Sequence, residues 1–262
     1  MGIKLTDQFD IYWTTSEYGS RVDCLFNSQP DKVECEARGC IFGDYHPRVP
    51  QCYYPTDYKH YTVTEHTEGV NEENVPIIEV NLALSPGAIS VPSFSHGSDD
   101  QIKTLHCTIF LLDSATVRIK ITDNDKDRFE VPVPLGTGEG NVVSRLYTID
   151  IISEPFCIKI TRTETGAIIF DSCVGPLLYY NQMIQMSTRR SSEFVYGFGE
   201  TEHLDFKHDM TWTADGMWAR DNGVGPGSNL YGVQPYHMVM EPGTGNSNGL
   251  TPFFWLSIFC TY

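Results

Sequence analysis

The sequence is poor in cations and has no long apolar run. Lysine and arginine total 18 against 34 aspartates and glutamates, a formal net charge of −16. Phosphate recognition needs clustered cations, so this balance excludes nucleic acid as a partner, and it equally disfavours an anionic membrane surface. No stretch approaches the roughly 18 apolar residues of a membrane-spanning helix, so no membrane contact is expected from this segment. The N-terminus to Tyr18 holds Asp7, Asp10 and Glu17 without an apolar run, so no signal peptide is read there. No Asn-x-Ser/Thr sequon occurs. What is present suffices for a folded core: 262 residues, of which 40% are hydrophobic and 12% aromatic, exclude wholesale disorder.

The eight cysteines divide by spacing. Cys24, Cys35, Cys40 and Cys52 cluster early, whereas Cys107, Cys157, Cys173 and Cys260 are scattered. Zinc would favour close C-x-x-C pairs; four residues separate Cys35 from Cys40, no second pair matches, and His46 is the only nearby histidine. Disulfides are the preferred reading, though the spacing leaves all three pairings of the early four open. The stretch from Cys24 to Cys52 has few aliphatic residues and could not fold on burial alone. Bridges there require an oxidising compartment. The scattered four read as buried free thiols in strands.

The cluster's context carries a resemblance. Arg21-Val22-Asp23-Cys24-Leu25-Phe26, Cys35-Glu36-Ala37-Arg38-Gly39-Cys40-Ile41-Phe42 and Gln51-Cys52-Tyr53-Tyr54 resemble a trefoil (P-type) domain. That family normally has six cysteines. The two missing here, one near Trp13 and one at Ile41, are partners of each other in the family. The resemblance therefore implies the bridges Cys24–Cys40 and Cys35–Cys52.

Beyond Tyr58 the periodicity is two. Ile77 to Leu82 reads as a strand, and Val117-Arg118-Ile119-Lys120-Ile121-Thr122 alternates apolar with charged residues, as a strand with one wet face does. Residues 123–127 read as a turn, after which Phe129-Glu130-Val131 resumes the sheet. Tyr147 to Ile152 and Phe156 to Thr161 are strands broken at Glu154-Pro155, and Thr165-Gly166 turns the chain before Ile168-Ile169-Phe170. The polar segment Glu65 to Asn74 reads as a loop or linker. The fold class is mainly β: a small disulfide-stapled trefoil followed by an antiparallel β-sandwich.

A second set of motifs is similar to glycoside hydrolase family 31. It comprises the run from Asp127 to Leu135, Pro155-Phe156, Phe170-Asp171-Ser172, Ser187-Thr188-Arg189, and Tyr196-Gly197-Phe198-Gly199-Glu200-Thr201-Glu202-His203. Met217-Trp218-Ala219-Arg220-Asp221 and the run from Tyr231 to Tyr236 complete it. More narrowly the chain resembles the intestinal maltase-glucoamylase and sucrase-isomaltase group, at the start of the second of its two tandem halves. The resemblance implies a galactose-mutarotase-like supersandwich. It also implies an N-terminal tail at 1–19, the trefoil at 20–56, the family's N-terminal β-sandwich at 57–249 and a divergent apolar tail at 250–262.

The family hydrolyses α-linked glucosides with retention, which needs two carboxylates about 5–5.5 Å apart. In the family both stand on a (β/α)₈ barrel after the sandwich, and such a barrel takes about 250 residues. Thirteen residues follow Gly249. The expectation is a non-catalytic portion of an α-glucosidase, inactive by itself, with no catalytic residue, cofactor or metal. Its expected partners are α-linked glucosides or glycans through the full-length protein, and the barrel as packing partner. Its expected location is extracellular or luminal, held at the brush border through that protein. Two other readings stand beside this one: a carbohydrate-binding or mucosal trefoil module without hydrolase activity, and a nonfunctional truncated product.

One substrate-binding residue is carried over. The Asp of the family's Arg-Asp motif, on a sandwich loop reaching over the barrel mouth, is Asp221 here, and a carboxylate suits vicinal sugar hydroxyls. The glycine-rich stretch 222–229 after it reads as a mobile loop in the absence of the barrel. Ile149-Asp150-Ile151 superficially resembles the family's nucleophile motif but lies in a strand of the sandwich. Glu200, Glu202, Asp205 and Asp209 read as a solvated acidic run. His203, His208 and Asp209 lack a metal-ligand spacing, and Gly136 to Gly140 reads as a hairpin loop rather than a nucleotide loop. Trp212, Trp218, Tyr231 and Tyr236 read as core aromatics ahead of sugar platforms.

Overall fold

The computed structural model describes residues 21–25, 31–47, 49–89, 101–128, 130, 132, 138, 142–181, 183–202, 205–209, 217–223, 225 and 227–250. They form two compact units, one from Met1–Thr56 with Met183–Tyr262 and the other from Asp57–Gln182. The sequence expectations on Phe129, Val131, the 136–140 loop, His203, Trp212 and Cys260 lie outside the described residues, apart from Gly138.

In the first unit, helix α1 (Lys32–Ala37) follows Asp31, whose carboxylate accepts the Glu34 N–H at 2.8 Å and so satisfies one of the donors a helix start leaves free. Strands β1 (Ile41–Phe42) and β2 (Cys52–Tyr53) pair antiparallel. Cys24–Cys40 and Cys35–Cys52 are disulfides, and all four cysteines are buried. Arg38, also buried, donates to Cys24 O at 3.0 Å and to Glu34. The interior of this segment is therefore more sulfur and guanidinium, from Arg21 and Arg38, than aliphatic carbon.

The second unit holds β3 (Tyr61–Val70), β4 (Pro76–Leu84), β5 (Thr104–Leu111) and β6 (Val117–Asp123), an antiparallel sheet in that order. A second antiparallel sheet, β7 (Tyr147–Ser153), β8 (Phe156–Arg162) and β9 (Ile168–Asp171), follows. Short strands β10 (Leu178–Tyr179) and β11 (Ile184–Gln185) come next in the chain. The alternation read from the sequence sorts the faces. Val80, Leu82, Leu105, Cys107 and Ile109 are almost wholly buried. On the opposite face Glu65, Asn81, His106 and Thr122 share one row across the sheet. Burial of Cys107 pushes its thiol up to about 12, so it behaves as a small apolar residue. His60 is buried too. Its Nε2 lies 2.9 Å from the Gln101 amide nitrogen, and desolvation pulls its pKa down to about 3, so the ring stays neutral.

Two expectations need correcting. Residues 65–70, read as loop, belong to β3, and the loop is confined to the turn after it. β3 is an edge strand with most side chains in water, so its charges follow edge exposure and hide the period-two signal. Cys157 and Cys173, read as free thiols, form a third disulfide joining β8 to the turn after β9. Ser172 beside it donates to Ile158 O and accepts from Ile158 N, continuing the ladder through a hydroxyl.

Candidate functional site

The motif-rich C-terminal part builds a three-stranded antiparallel sheet from β12 (Val195–Thr201), β13 (Asn229–Met240) and β14 (Ser247–Leu250). Ladder pairing of β12 with β13 is regular from Val195↔Val239 to Gly197↔His237, then shifts twice. At Gly197 φ is +113°, and a Cβ would stand 2.5 Å from Tyr236 O and 2.9 Å from His237 Cα. Only glycine fits so close to a neighbouring backbone. Phe198 follows at φ 57°, in the left-handed region that bulky residues avoid.

This bend aims the Phe198 ring into a stack. It lies parallel to His237 at 4.5 Å between centroids and edge-on to His208 at 5.4 Å. His208 donates from its backbone N–H to Val195 O at 2.9 Å and from Nε2 to Gly197 O at 2.7 Å. His237 is buried, and desolvation drives its pKa down to about 4, with His208 and Arg190 adding to the fall. Phe198 also packs against the buried pair Val195 and Val239, so the stack reads as structural.

Beyond the bend the chain opens into the loop that carries the Arg-Asp motif. Arg220 N–H donates to Leu230 O at 2.7 Å, and Asn222 N–H donates to Arg220 O at 3.0 Å. The second bond closes a three-residue turn with Asp221 at its centre, and Asp221 is exposed. Gly227 N–H donates to Glu202 O at 2.6 Å. Trp218, Tyr231 and Tyr236 are 51%, 63% and 44% exposed. They are surface residues, which corrects the core reading given to them. Tyr231 and Tyr236 stand on β13 where its pairing with β12 is interrupted, and Trp218 lies on the segment before Arg220.

The acidic run is solvated as expected: Glu200, Glu202, Asp205 and Asp209 are all exposed. Glu200 has a role the sequence did not signal, since its Oε2 accepts Gly232 N–H at 2.6 Å. Residues 245–249 spell Gly-x-Ser-x-Gly, but Ser247 opens β14 opposite Met240 instead of standing on a strand-to-helix turn. Asp150 lies in β7 opposite Lys159. Among the described residues one trio of potential metal ligands lies close together: Cys24, Cys40 and Cys52, within 4.8 Å of one another. All three sulfurs are in disulfides, so none is a thiolate ligand.

Comparison with known proteins decides the relationship. Residues 15–55 match the family described as "Trefoil (P-type) domain". Over 259 residues the chain is 37% identical to intestinal sucrase-isomaltase of Oryctolagus cuniculus, covering 95% of the chain and 14% of that protein. It is 32% identical to probable maltase-glucoamylase 2 of Homo sapiens, covering 95% of the chain and 10% of the relative. Identity to lysosomal alpha-glucosidase of Mus musculus is 28%, over 86% of the chain and 23% of the relative. The chain joins a trefoil domain to a region homologous to the N-terminal part of family 31 α-glucosidases. It spans about a tenth to a quarter of the length of these glycosidases. The α-glucosidase likeness covers both units, and the trefoil match ends one residue before the break between Thr56 and Asp57. Among the described residues no helix is long and apolar enough to cross a membrane.

Proposed function

We propose that this chain is the non-catalytic N-terminal portion of an α-glucosidase and lends the Asp221 loop to the sugar site of the longer enzyme. The observation that carries this reading is the exposed three-residue turn centred on Asp221, flanked by Trp218 and Tyr231 in water. An exposed acceptor beside uncovered aromatics suits a pyranose, whose hydroxyls donate and whose C–H face stacks. In this reading the exposed Tyr231 and Tyr236 of β13 belong to the face on which the catalytic barrel packs. In this reading the trefoil occupies 20–56 and the sandwich 57–249, and the two catalytic carboxylates come from the barrel. The intestinal and lysosomal names of the relatives, with the three disulfides, support a luminal or extracellular site.

The test is Asp221→Asn in the longer enzyme, assayed on maltose. Loss of a charged hydrogen bond to substrate lowers kcat/KM roughly ten- to hundredfold. Unchanged kcat/KM would remove Asp221 from the sugar site.

A further inference from the structure

We propose that Glu200 is a positioning residue, which ties the loop bearing Arg220 and Asp221 to the frame of the sheet. The proposal rests on the functional reading of Asp221 given above. Its basis is the interrupted ladder between β12 and β13. Gly199 pairs with Gln234 and Thr201 pairs with Asn229, so the single residue Glu200 faces residues 230–233. Four residues opposite one cannot all find ladder partners, and an unpaired backbone group needs another. Leu230 O takes the Arg220 N–H at 2.7 Å. Gly232 N–H goes to the Glu200 carboxylate at 2.6 Å. Just outside, Gly227 N–H donates to Glu202 O.

These three bonds sit at the base of one loop, and each depends on the others' register. Were Gly232 free to swing, β13 would lose the fixed point that presents Leu230 O to Arg220. A carboxylate is well suited to the task, because a charged acceptor binds a backbone N–H more strongly than a neutral one. Gly232 completes the fit, since a Cβ there would stand 3.2 Å from Glu200 Oε2. The left-handed Phe198 and the side-chain-free Gly197 just upstream form the bend that brings Glu200 to this place. Unusual backbone of that kind collects where a structure must aim a functional group. The Gly-Phe-Gly-Glu motif thus acts through Asp221 and touches no substrate itself.

The experiment is amide hydrogen exchange on the full 262-residue chain, comparing wild type, Glu200→Ala and Glu200→Gln. Gly232 must exchange faster in Glu200→Ala, since its acceptor is gone; the informative amides are Arg220 and Gly227, whose own acceptors are intact. Their exchange is expected to rise roughly tenfold in Glu200→Ala, the size of one lost net hydrogen bond. Glu200→Gln, which keeps an acceptor oxygen, is expected to restore them to within about threefold of wild type. Amides of β5, in the other unit, are expected to stay unchanged, which separates loop release from general destabilisation. Faster exchange at Gly232 alone, a uniform rise including β5, or no rescue by glutamine would each overturn the proposal. No sugar enters this measurement, so it stands or falls apart from the Asp221→Asn assay.

Discussion

Replacing Gly197 by alanine is expected to destabilise the β12–β13–β14 sheet by about 3 kcal/mol or more. Two effects add. The backbone at φ +113° is strained for any residue with a Cβ, and the new methyl would sit 2.5 Å from Tyr236 O. That neighbour is main chain, so relief requires moving β13 itself, including the His237 ring stacked on Phe198. Gly166 supplies the control. Its φ is +69°, yet a Cβ would meet nothing within 4 Å, so alanine there costs about 1 kcal/mol of strain alone. Chemical denaturation followed through the exchange of Val195 and Val239 amides checks the ranking. Equal losses at both positions would mean that the close approach at Gly197 relaxes without cost.

The second large effect concerns the trefoil bridges. Cys35–Cys52 closes a loop of 17 residues in a segment with little aliphatic core, and the chain-entropy model gives such a closure about 3 kcal/mol. The double substitution Cys35→Ser, Cys52→Ser is expected to unfold residues 24–52 locally while the β3–β6 sheet survives. Cys157–Cys173 closes a loop of almost the same length, 16 residues. The same model gives its removal about the same global cost, roughly 3 kcal/mol, but β8–β9 pairing and Ser172 are expected to keep those ends together in the folded state. Titration with a thiol reductant, read by amide exchange, gives the order: trefoil amides lose protection first. Protection lost first around Cys157 would show that the ladder there depends on the bridge.

The legible and illegible parts of this chain differ in physical kind. Where a strand has one drier and one wet face, as β7 does from Tyr147 to Ile151, alternation is written into the residues and the strand is read correctly. Where a strand lies at an edge in water, as β3 does from Thr64 onward, both faces are polar and the pattern is that of a loop. The third disulfide left no signal because Cys157 stands on β8 and Cys173 in the turn after β9, and only the β8–β9 pairing brings them together. Helix α1 carries a local signature, Asp31 three residues before Glu34, whose side chain caps the helix, but the cysteine spacing around it is silent on helix or loop. At the candidate site, Asp221 stands in an exposed turn. The aromatics misled, since their burial depends on a second layer that composition cannot show. Glu200 was illegible for a further reason: its partner is a backbone N–H freed by a mismatch in register, and no residue type marks such a group.

The central claim is that these residues bind and shape a sugar site but do not cleave a glycoside. The direct measurement is release of glucose from maltose, and of nitrophenol from 4-nitrophenyl α-glucoside, by the purified 262-residue chain. The account predicts no product above the blank, with wild type and Asp221→Asn indistinguishable. Turnover above the blank that disappears when one carboxylate of this chain is replaced would contradict it.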